Sequence, residues 1–387
     1  MSPDPATGTA PATGPRPGPA PATAPGTATD RACDRCVARS WLLARLSAHL
    51  ELARGQVEPV LGLDDEELLA ALGGKRRAAI WSERQRLDLR QERRHAASAG
   101  LELICRCDQS YPARLACSPS PPAVLHVAGG LERFLGLVAG DPVAIVGART
   151  PSAYGLEMAT LLGRGLGRAG LTVISGMALG IDSAAQAGAL AGEGGTVAVL
   201  PGGADQPYPA SKRLLHRQIQ GAGAAVSELP PGAVVRRWCF PARNRIVAGL
   251  SAMTVVVEAG EGSGALLTAA FSQALGRPIG AVPGRVTSPL AAGANRLLAT
   301  GAQLVSHPQD VLDRLFGAGV RAAVVKDKPE LQPELRLVFT AIADGEDTTA
   351  ALSRGGLAAE QGLAAVAALE LAGYVRREAG GKFTVLP

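Results

Sequence analysis

The chain has 387 residues, 47% hydrophobic and 19% charged, with a formal net charge of +5. That length accommodates two or three domains, and that apolar content supports a buried core and excludes wholesale disorder. No apolar run reaches the ~20 residues a membrane-spanning helix needs, no basic-then-apolar leader is visible, and six cysteines are too few for a disulfide framework, so a cytoplasmic protein with no membrane partner is expected.

Residues 1–32 are mostly Pro, Ala, Thr and Gly. They bury too little apolar surface to offset chain entropy, which predicts a disordered tail. Residues 33–128 read as a small helical, SAM-like domain. Trp41, Leu42, Leu43, Leu46 and Leu50 follow helical spacing. Asp64 with Glu67 three residues on reads as a capping box, and Gly73-Gly74 ends that helix. Between residues 75 and 95, Lys75, Arg76, Arg77, Arg84, Arg86, Arg90, Arg93 and Arg94 outnumber Glu83, Asp88 and Glu92; a solvated helix face is preferred there to a nucleic-acid contact. Cys33 and Cys36 have C-x-x-C spacing, and Cys105 and Cys107 follow far downstream. Four thiolates suffice for zinc, but one intervening residue in the second pair departs from the common structural sites, so no metal ligand is assigned.

Residues 129–316 change character. Short apolar, β-branched runs recur at 143–146, 171–175, 196–200, 224–227, 253–257, 278–282 and 302–306, with Ala/Leu-rich stretches of helical length between most of them. That beat predicts βαβ units in an extended Rossmann-like, doubly wound and mostly parallel sheet, an α/β fold. Residues 317–332, containing Pro329, read as a linker. Residues 333–387 read as a winged-helix-like domain: helices at 336–343 and 363–372, then strands at 374–377 and 383–386 around Gly380-Gly381.

Ligands of an open parallel sheet bind at the carboxyl ends of its strands. Those ends carry Gly147-Ala148-Arg149, Ser175-Gly176, Pro201-Gly202-Gly203, Glu258-Ala259-Gly260 with Ser263-Gly264 and Thr268, and Pro283-Gly284. Glycines let backbone N–H groups approach a ligand, and helix N-termini add partial positive charge. Several such turns on one edge favour an anion site over mere tight turns. The run Gly165-Leu166-Gly167-Arg168-Ala169-Gly170 matches G-x-G-x-x-G but precedes a strand, so it is expected to pack a helix against the sheet. No P-loop is present and no cofactor is implied.

The stretch Arg236-Arg237-Trp238-Cys239-Phe240-Pro241-Ala242-Arg243-Asn244-Arg245 holds four arginines and two of the few aromatics without an acid. Guanidinium groups pair with phosphate oxygens and aromatic faces stack unpaired bases. A groove with both suits single-stranded nucleic acid; the competing possibility is a core Phe240 with arginines bridging a dimer interface. No nucleophile–base–orienter set is visible, so no enzyme is expected and no catalytic residue is assigned. Asp182, Glu228 and Glu258 are taken as carboxylates that organise loops.

The ordered blocks resemble the DNA-processing protein A (DprA/Smf) family from about residue 101 to the C-terminus. They are Tyr111-Pro112 with Leu115, Pro121-Pro122 with Leu125, Ala144–Arg149 with Tyr154-Gly155, Ser175–Asp182, Tyr208-Pro209, Ser227-Glu228, Phe240–Arg245, Ser263–Thr268, Pro283-Gly284, Gly293 with Asn295, and Gly301-Ala302. The resemblance implies single-stranded DNA binding without hydrolysis, self-association as a homodimer, and delivery of the strand to a RecA-type recombinase during transformation or recombination. It implies phosphate contacts at Arg149 and around the strand-end pocket, with Arg243 and Arg245 in the matching block and Lys212 and Arg213 beyond Tyr208-Pro209. The expected DNA-binding set is therefore Arg149, Ser175, Gly176, Gly202, Gly203, Lys212, Arg213, Phe240, Arg243, Asn244, Arg245, Ser263, Gly264 and Thr268. The family more usually has Arg, His and Asn where this chain has Leu179, Gln186 and Lys212. The rival function is a nucleoside-monophosphate phosphoribohydrolase on a related core. The Pro201-Gly202-Gly203 turn fits it, but the turn continues Ala204-Asp205-Gln206-Pro207-Tyr208, and the Gly-Thr and downstream Glu of those enzymes are absent.

Overall fold

The apolar runs of the chain's middle become strands whose residues are buried on both faces, the pattern of a parallel sheet covered by helices. The computed structural model describes residues 30–322, 331–345, 359–372, 374–378 and 381–385. Expectations for residues 1–29, for 323–330 of the linker, and for Gly380 and Leu386 of the hairpin lie outside the described residues. In chain order the strands are β1 Asp30–Arg31, β2 Leu101–Cys105, β3 Val124–Ala128, β4 Val143–Val146, β5 Val173–Ser175, β6 Thr196–Val199, β7 Ala224–Ser227, β8 Met253–Val256, β9 Ile279–Ala281, β10 Gln303–Leu304, β11 Val375–Arg377 and β12 Phe383–Val385.

The first ten form one sheet in the order β1-β2-β3-β7-β6-β5-β4-β8-β9-β10. Strands β4 to β10 are mutually parallel, whereas β3 runs antiparallel to both β2 and β7. From β4 the chain steps outward through β5, β6 and β7, then returns to place β8 on the other side of β4. The topological switch point, where such sheets bind ligands, thus lies between β4 and β8. Alternation within β4 splits the core: Ala144 and Val146 pack with Val197, Val199, Ile246 and Val256, and Val143 and Ile145 with Leu162, Leu166, Val173 and Ile181.

One expectation is corrected. The unit of 33–128 is not wholly helical: beyond the Leu89–Ser98 helix it has only the one-turn Ala113–Ala116 helix. Its remainder supplies β2 and β3, because Leu101, Leu103, Val124 and Val127 are apolar residues covered within the sheet. The helix carrying the glycine run at 165–170 packs on the sheet through Leu166, which shares its core with Val143, Ile145 and Val173, while the glycines themselves face neighbouring helices. A Cβ on Gly163 would stand 2.1 Å from the Ala185 carbonyl oxygen, one on Gly167 2.8 Å from that of Ala189, and one on Gly165 2.3 Å from the Pro308 ring. The first two seat the Ala153–Arg168 helix against the Ile181–Ala191 helix, and the third against the Pro308–Phe316 helix.

In the N-terminal helices Asp64 and Glu67 complete the capping box. The basic run is a helix surface partly paired within the chain, with Arg84 paired to Asp65, and Arg93 to Asp30 at 2.6 Å and Asp34 at 2.9 Å. The module's core of Leu42, Leu43, Leu46, Leu68, Leu69 and Ile80 also takes in Trp238. The indole of Trp238 donates to Ser47 Oγ at 3.1 Å, so the Arg-rich stretch is anchored by its own tryptophan and only Phe240 remains as an aromatic available for stacking. The C-terminal unit pairs β11 antiparallel with β12. Val338 and Ile342 of the Pro333–Ala343 helix share its core with Val366, Leu369, Tyr374, Val375 and Phe383. Among the described residues no helix is long and apolar enough to cross a membrane.

His126 on β3 is 4% exposed, and burial pushes its imidazole down to about 4. The unfolded chain takes up that proton near pH 6.5; the folded chain takes it up only near pH 4. Between those values the unfolded state binds more protons, so stability falls as pH drops through that window. Thermal melts from pH 7 to 4 are expected to show this loss. His126→Leu is expected to flatten it to the part contributed by His216, which burial also lowers; an unchanged slope would contradict the assignment.

Candidate nucleic-acid interface

The carboxyl ends of β4, β5 and β8 open into a cavity of about 270 Å³ at the switch point. It is lined by Gly147 and Arg149 after β4, Ala178 and Asp182 after β5, Phe240, Arg243 and Asn244 of the Cys239–Leu250 helix, and Ser263, Gly264, Ala265 and Thr268 after β8. A second hollow of about 160 Å³ shares Arg149, Ala178, Phe240 and Arg243 and adds Gly176, Leu179, Pro201, Tyr208 and Pro209.

Arg149 and Phe240 form the divide between the two hollows. The Arg149 guanidinium lies 4.9 Å from the Phe240 ring centroid, a cation–π distance, and the Tyr208 ring meets Phe240 at 5.6 Å, tilted by 57°. Arg149 is exposed, Tyr208 is 40% exposed, and Phe240 is half-buried. A cation and two aromatic faces therefore stand at the cavity mouth. One wall is the start of the Gly264–Ala274 helix, where Ser263 caps the Ala265 amide at 3.3 Å. A Cβ on Gly264 would meet open space, so an anion can approach the Gly264 amide and the positive end of this helix; the Ser263 amide is taken by the Gly260 carbonyl at 3.0 Å.

Arg243 forms the floor. It is 7% exposed and donates to the Val199 carbonyl at 2.8 Å and to Asn244 Oδ1 at 3.0 Å, while Asn244 Nδ2 donates to the Gly264 carbonyl at 3.1 Å. Its guanidinium fills the space above Gly176, where a Cβ would come within 1.5 Å of Nη1. Gly176 is thus required by the arginine that packs on it, and its amide donates to Asp182 at 3.1 Å. Burial raises the Asp182 carboxyl above its ordinary value, against the pull of Arg243, the Ala178 and Gly176 amides, and Arg149. Burial likewise lowers the Arg243 guanidinium, with Asp182 opposing and Arg149 reinforcing.

Glu258 accepts from the Ser152 amide at 2.9 Å and hydroxyl at 2.6 Å. Ser152 in turn caps the Ala153–Arg168 helix, so this carboxylate fixes the loop that carries Arg149. Glu228 is paired with Arg245.

Several expected contacts lie elsewhere. The Arg245 side chain is 4% exposed and gives its guanidinium to Glu228 and the Ser120 carbonyl. It faces the opposite side of its helix from the cavity-lining Arg243 and is an internal ion pair, not a phosphate ligand. Ser175 is fully buried and donates to the Ile145 carbonyl at 2.6 Å, turned to the neighbouring strand. Gly202 and Gly203 lie under the 230–235 segment, where Cβ atoms would meet Val235 and Pro231; Pro201 lines the hollow instead. Lys212 and Arg213 lie at the start of the Arg213–Ala222 helix, outside both hollows. Gln186 is buried and donates to the Val197 carbonyl at 3.1 Å, so its departure from the family pattern does not touch the cavity. Leu179 does line the smaller hollow and is 44% exposed. Tyr208 was missing from the expected set. Its signal was its rarity, one of four tyrosines, beside a proline in a block shared with the family.

The model of DNA recombination-mediator protein A matches residues 102–316, more than half of the chain. The chain belongs to the DNA recombination-mediator protein A family. Among curated family members, the DNA processing protein DprA of Mycobacterium tuberculosis is 42% identical over 245 residues, 61% of this chain. The chain spans 62% of that relative's length. Among solved structures, DNA processing protein A from Streptococcus pneumoniae superposes with a TM-score of 0.59 at 30% identity, covering 72% of this chain and 95% of that one. DNA processing protein A from Helicobacter pylori, whose structure addresses its single-stranded DNA binding mode, gives a TM-score of 0.50 at 28% identity over 56% of this chain and 97% of that one. The match places the whole cavity, from Arg149 to Thr268, inside the DNA recombination-mediator region.

Proposed function

We propose that this family member binds single-stranded DNA without hydrolysing it, with phosphates at the switch-point cavity and bases against the aromatic rim. The observation that carries the reading is the Arg149–Phe240–Tyr208 group at the mouth of a cavity that the Gly264 amide and the Ser263 hydroxyl wall on one side. Each element has a task. Arg149 pairs with phosphate oxygens; Phe240 and Tyr208 stack unpaired bases, each worth ~1–3 kcal/mol; Gly264 presents its amide at the helix start that Ser263 caps; Asn244 and Arg243 hold that wall in place, and Thr268 lines the cavity beside them. Lys212 and Arg213 lie on the path of a strand leaving over Tyr208.

Against the hydrolase rival, the carboxylates nearest the cavity are used to hold backbone. Asp182 is engaged by the Gly176 amide and Glu258 by Ser152, so incubation with nucleoside monophosphates is expected to release no base. The family resemblance extends the proposal to a cytoplasmic homodimer that passes its strand to a RecA-type recombinase. The helix–helix–hairpin unit at 331–385 reads as a winged helix and the N-terminal helices as a SAM-like module. The helix over 359–371 carries no Lys or Arg, whereas a major-groove reader needs side-chain donors; a protein-contact role suits it better.

A gel-shift comparison tests the reading. Oligo-dT of a few tens of nucleotides is expected to shift at lower protein concentration than the same length of duplex; equal affinity at equal salt would overturn it. Phe240→Ala is expected to lose ~1–3 kcal/mol of binding with an unchanged salt slope, because it removes a stack and no phosphate contact. A changed slope would show that Phe240 acts only by holding Arg149.

A further inference from the structure

Four cysteines distant in sequence meet where the first helix touches the sheet edge. Cys33 precedes the Asp34–Arg45 helix, Cys36 lies in its first turn, Cys105 ends β2 and Cys107 lies in the turn that follows. Their sulfur atoms all lie within 4.8 Å of one another, and Cys36 Sγ is 3.7 Å from Cys107 Sγ. A disulfide needs ~2.05 Å, so that pair is not one. Four sulfurs at ~2.3 Å from a tetrahedral zinc ion stand ~3.8 Å apart, close to the observed spacing.

The local structure explains why C-x-C spacing serves here. The turn that follows β2 folds Cys107 back beside Cys105, so both sulfurs reach the side that meets the helix. The Cys33 amide points at Cys105 Sγ at 3.4 Å, the kind of backbone donor that supports a coordinated thiolate. Cys36 and Cys105 are buried and Cys33 is half-buried, with Val37, Leu103 and Val124 in the surrounding core. Four soft ligands with no open position describe a structural site, not a catalytic one.

We propose that Cys33, Cys36, Cys105 and Cys107 bind one zinc ion as a closed tetrathiolate site, reversing the expectation drawn from their spacing. Each coordinated thiol gives up its proton to solvent, so binding weakens with acidification. The ion clamps the N-terminal helices to the sheet beside β1, which among the described residues pairs with β2 at Asp30↔Leu103 and Arg31↔Ile104. It thereby also steadies the module that buries Trp238, two residues from Phe240.

The test uses the full chain expressed with zinc in the medium and desalted. Elemental analysis is expected to find about one zinc per chain, released by a mercurial reagent. Replacing zinc by cobalt(II) in the wild-type chain is expected to give the visible bands of tetrahedral cobalt with thiolate charge transfer, a readout that needs no variant. Cys107→Ser is expected to lose most of the metal, and Cys117→Ser, outside the cluster, to keep it. Wild-type protein that neither carries zinc nor takes up cobalt would overturn the proposal. So would two disulfides in the mass of the intact chain, iron in place of zinc, or undiminished zinc in Cys107→Ser.

Discussion

Replacing Arg149 with alanine is expected to weaken oligo-dT binding by roughly 10- to 100-fold, the loss of a charge-assisted hydrogen bond worth about 1.5–3 kcal/mol. The salt dependence should change with it: each phosphate contact removed lowers the slope of log K against log salt by ~0.7 on a single strand. The expectation is this large because Arg149 is exposed, makes no ion pair with a carboxylate among the described residues, and sits on the Phe240 face, where its orientation is fixed before the strand arrives. Arg149→Lys separates the contributions. A lysine keeps the charge, and with it most of the slope, but lacks the planar fork that stacks and pairs bidentately. Fluorescence anisotropy across a salt series reads both quantities. Wild-type affinity and slope in Arg149→Ala would remove Arg149 from the interface.

The second large effect falls on stability. Arg245 and Glu228 form an ion pair with side chains 4% and 8% exposed. Removing one partner strands a buried charge, which costs about 3–5 kcal/mol. Arg245→Met is therefore expected to lower the melting temperature by roughly 6–20 °C, at about 2–4 °C per kcal/mol for a domain of this size. The double change Arg245→Met, Glu228→Gln is expected to recover part of that loss, because neither charge is left alone. Binding of single strands by the folded fraction should stay at wild-type strength. A stable Arg245→Met protein with weakened binding would restore Arg245 to the DNA-contacting set.

Arg243 and Arg245, two positions apart on one helix, show where legibility ends. Composition and the Phe240–Arg245 block marked the segment, but the chemistry of a guanidinium is the same whether it meets phosphate or Glu228. Only the helical rotation places Arg243 at the cavity floor and Arg245 inside. The strands β4 to β8 were legible because burial on both faces leaves continuous apolar runs. β2 and β3 were not, because Glu102 and His126 interrupt their runs and both stand beside a helical module. Ser175 and Gly202 sat at the expected strand ends, yet a strand-end position does not fix which way a hydroxyl points or what loop covers a glycine. The cysteine cluster was hidden for the opposite reason: its ligands are close only after Asp30–Arg31 pairs with β2 and brings the first helix alongside.

Photocrosslinking tests the central claim most directly. An oligonucleotide carrying 5-iodouracil, irradiated with the wild-type chain and mapped by peptide mass, is expected to label the peptides containing Phe240 and Tyr208, the two rings at the cavity mouth. Labelling confined to residues 331–385, or to the basic helices before Ser98, would place the strand away from the switch point and contradict the account.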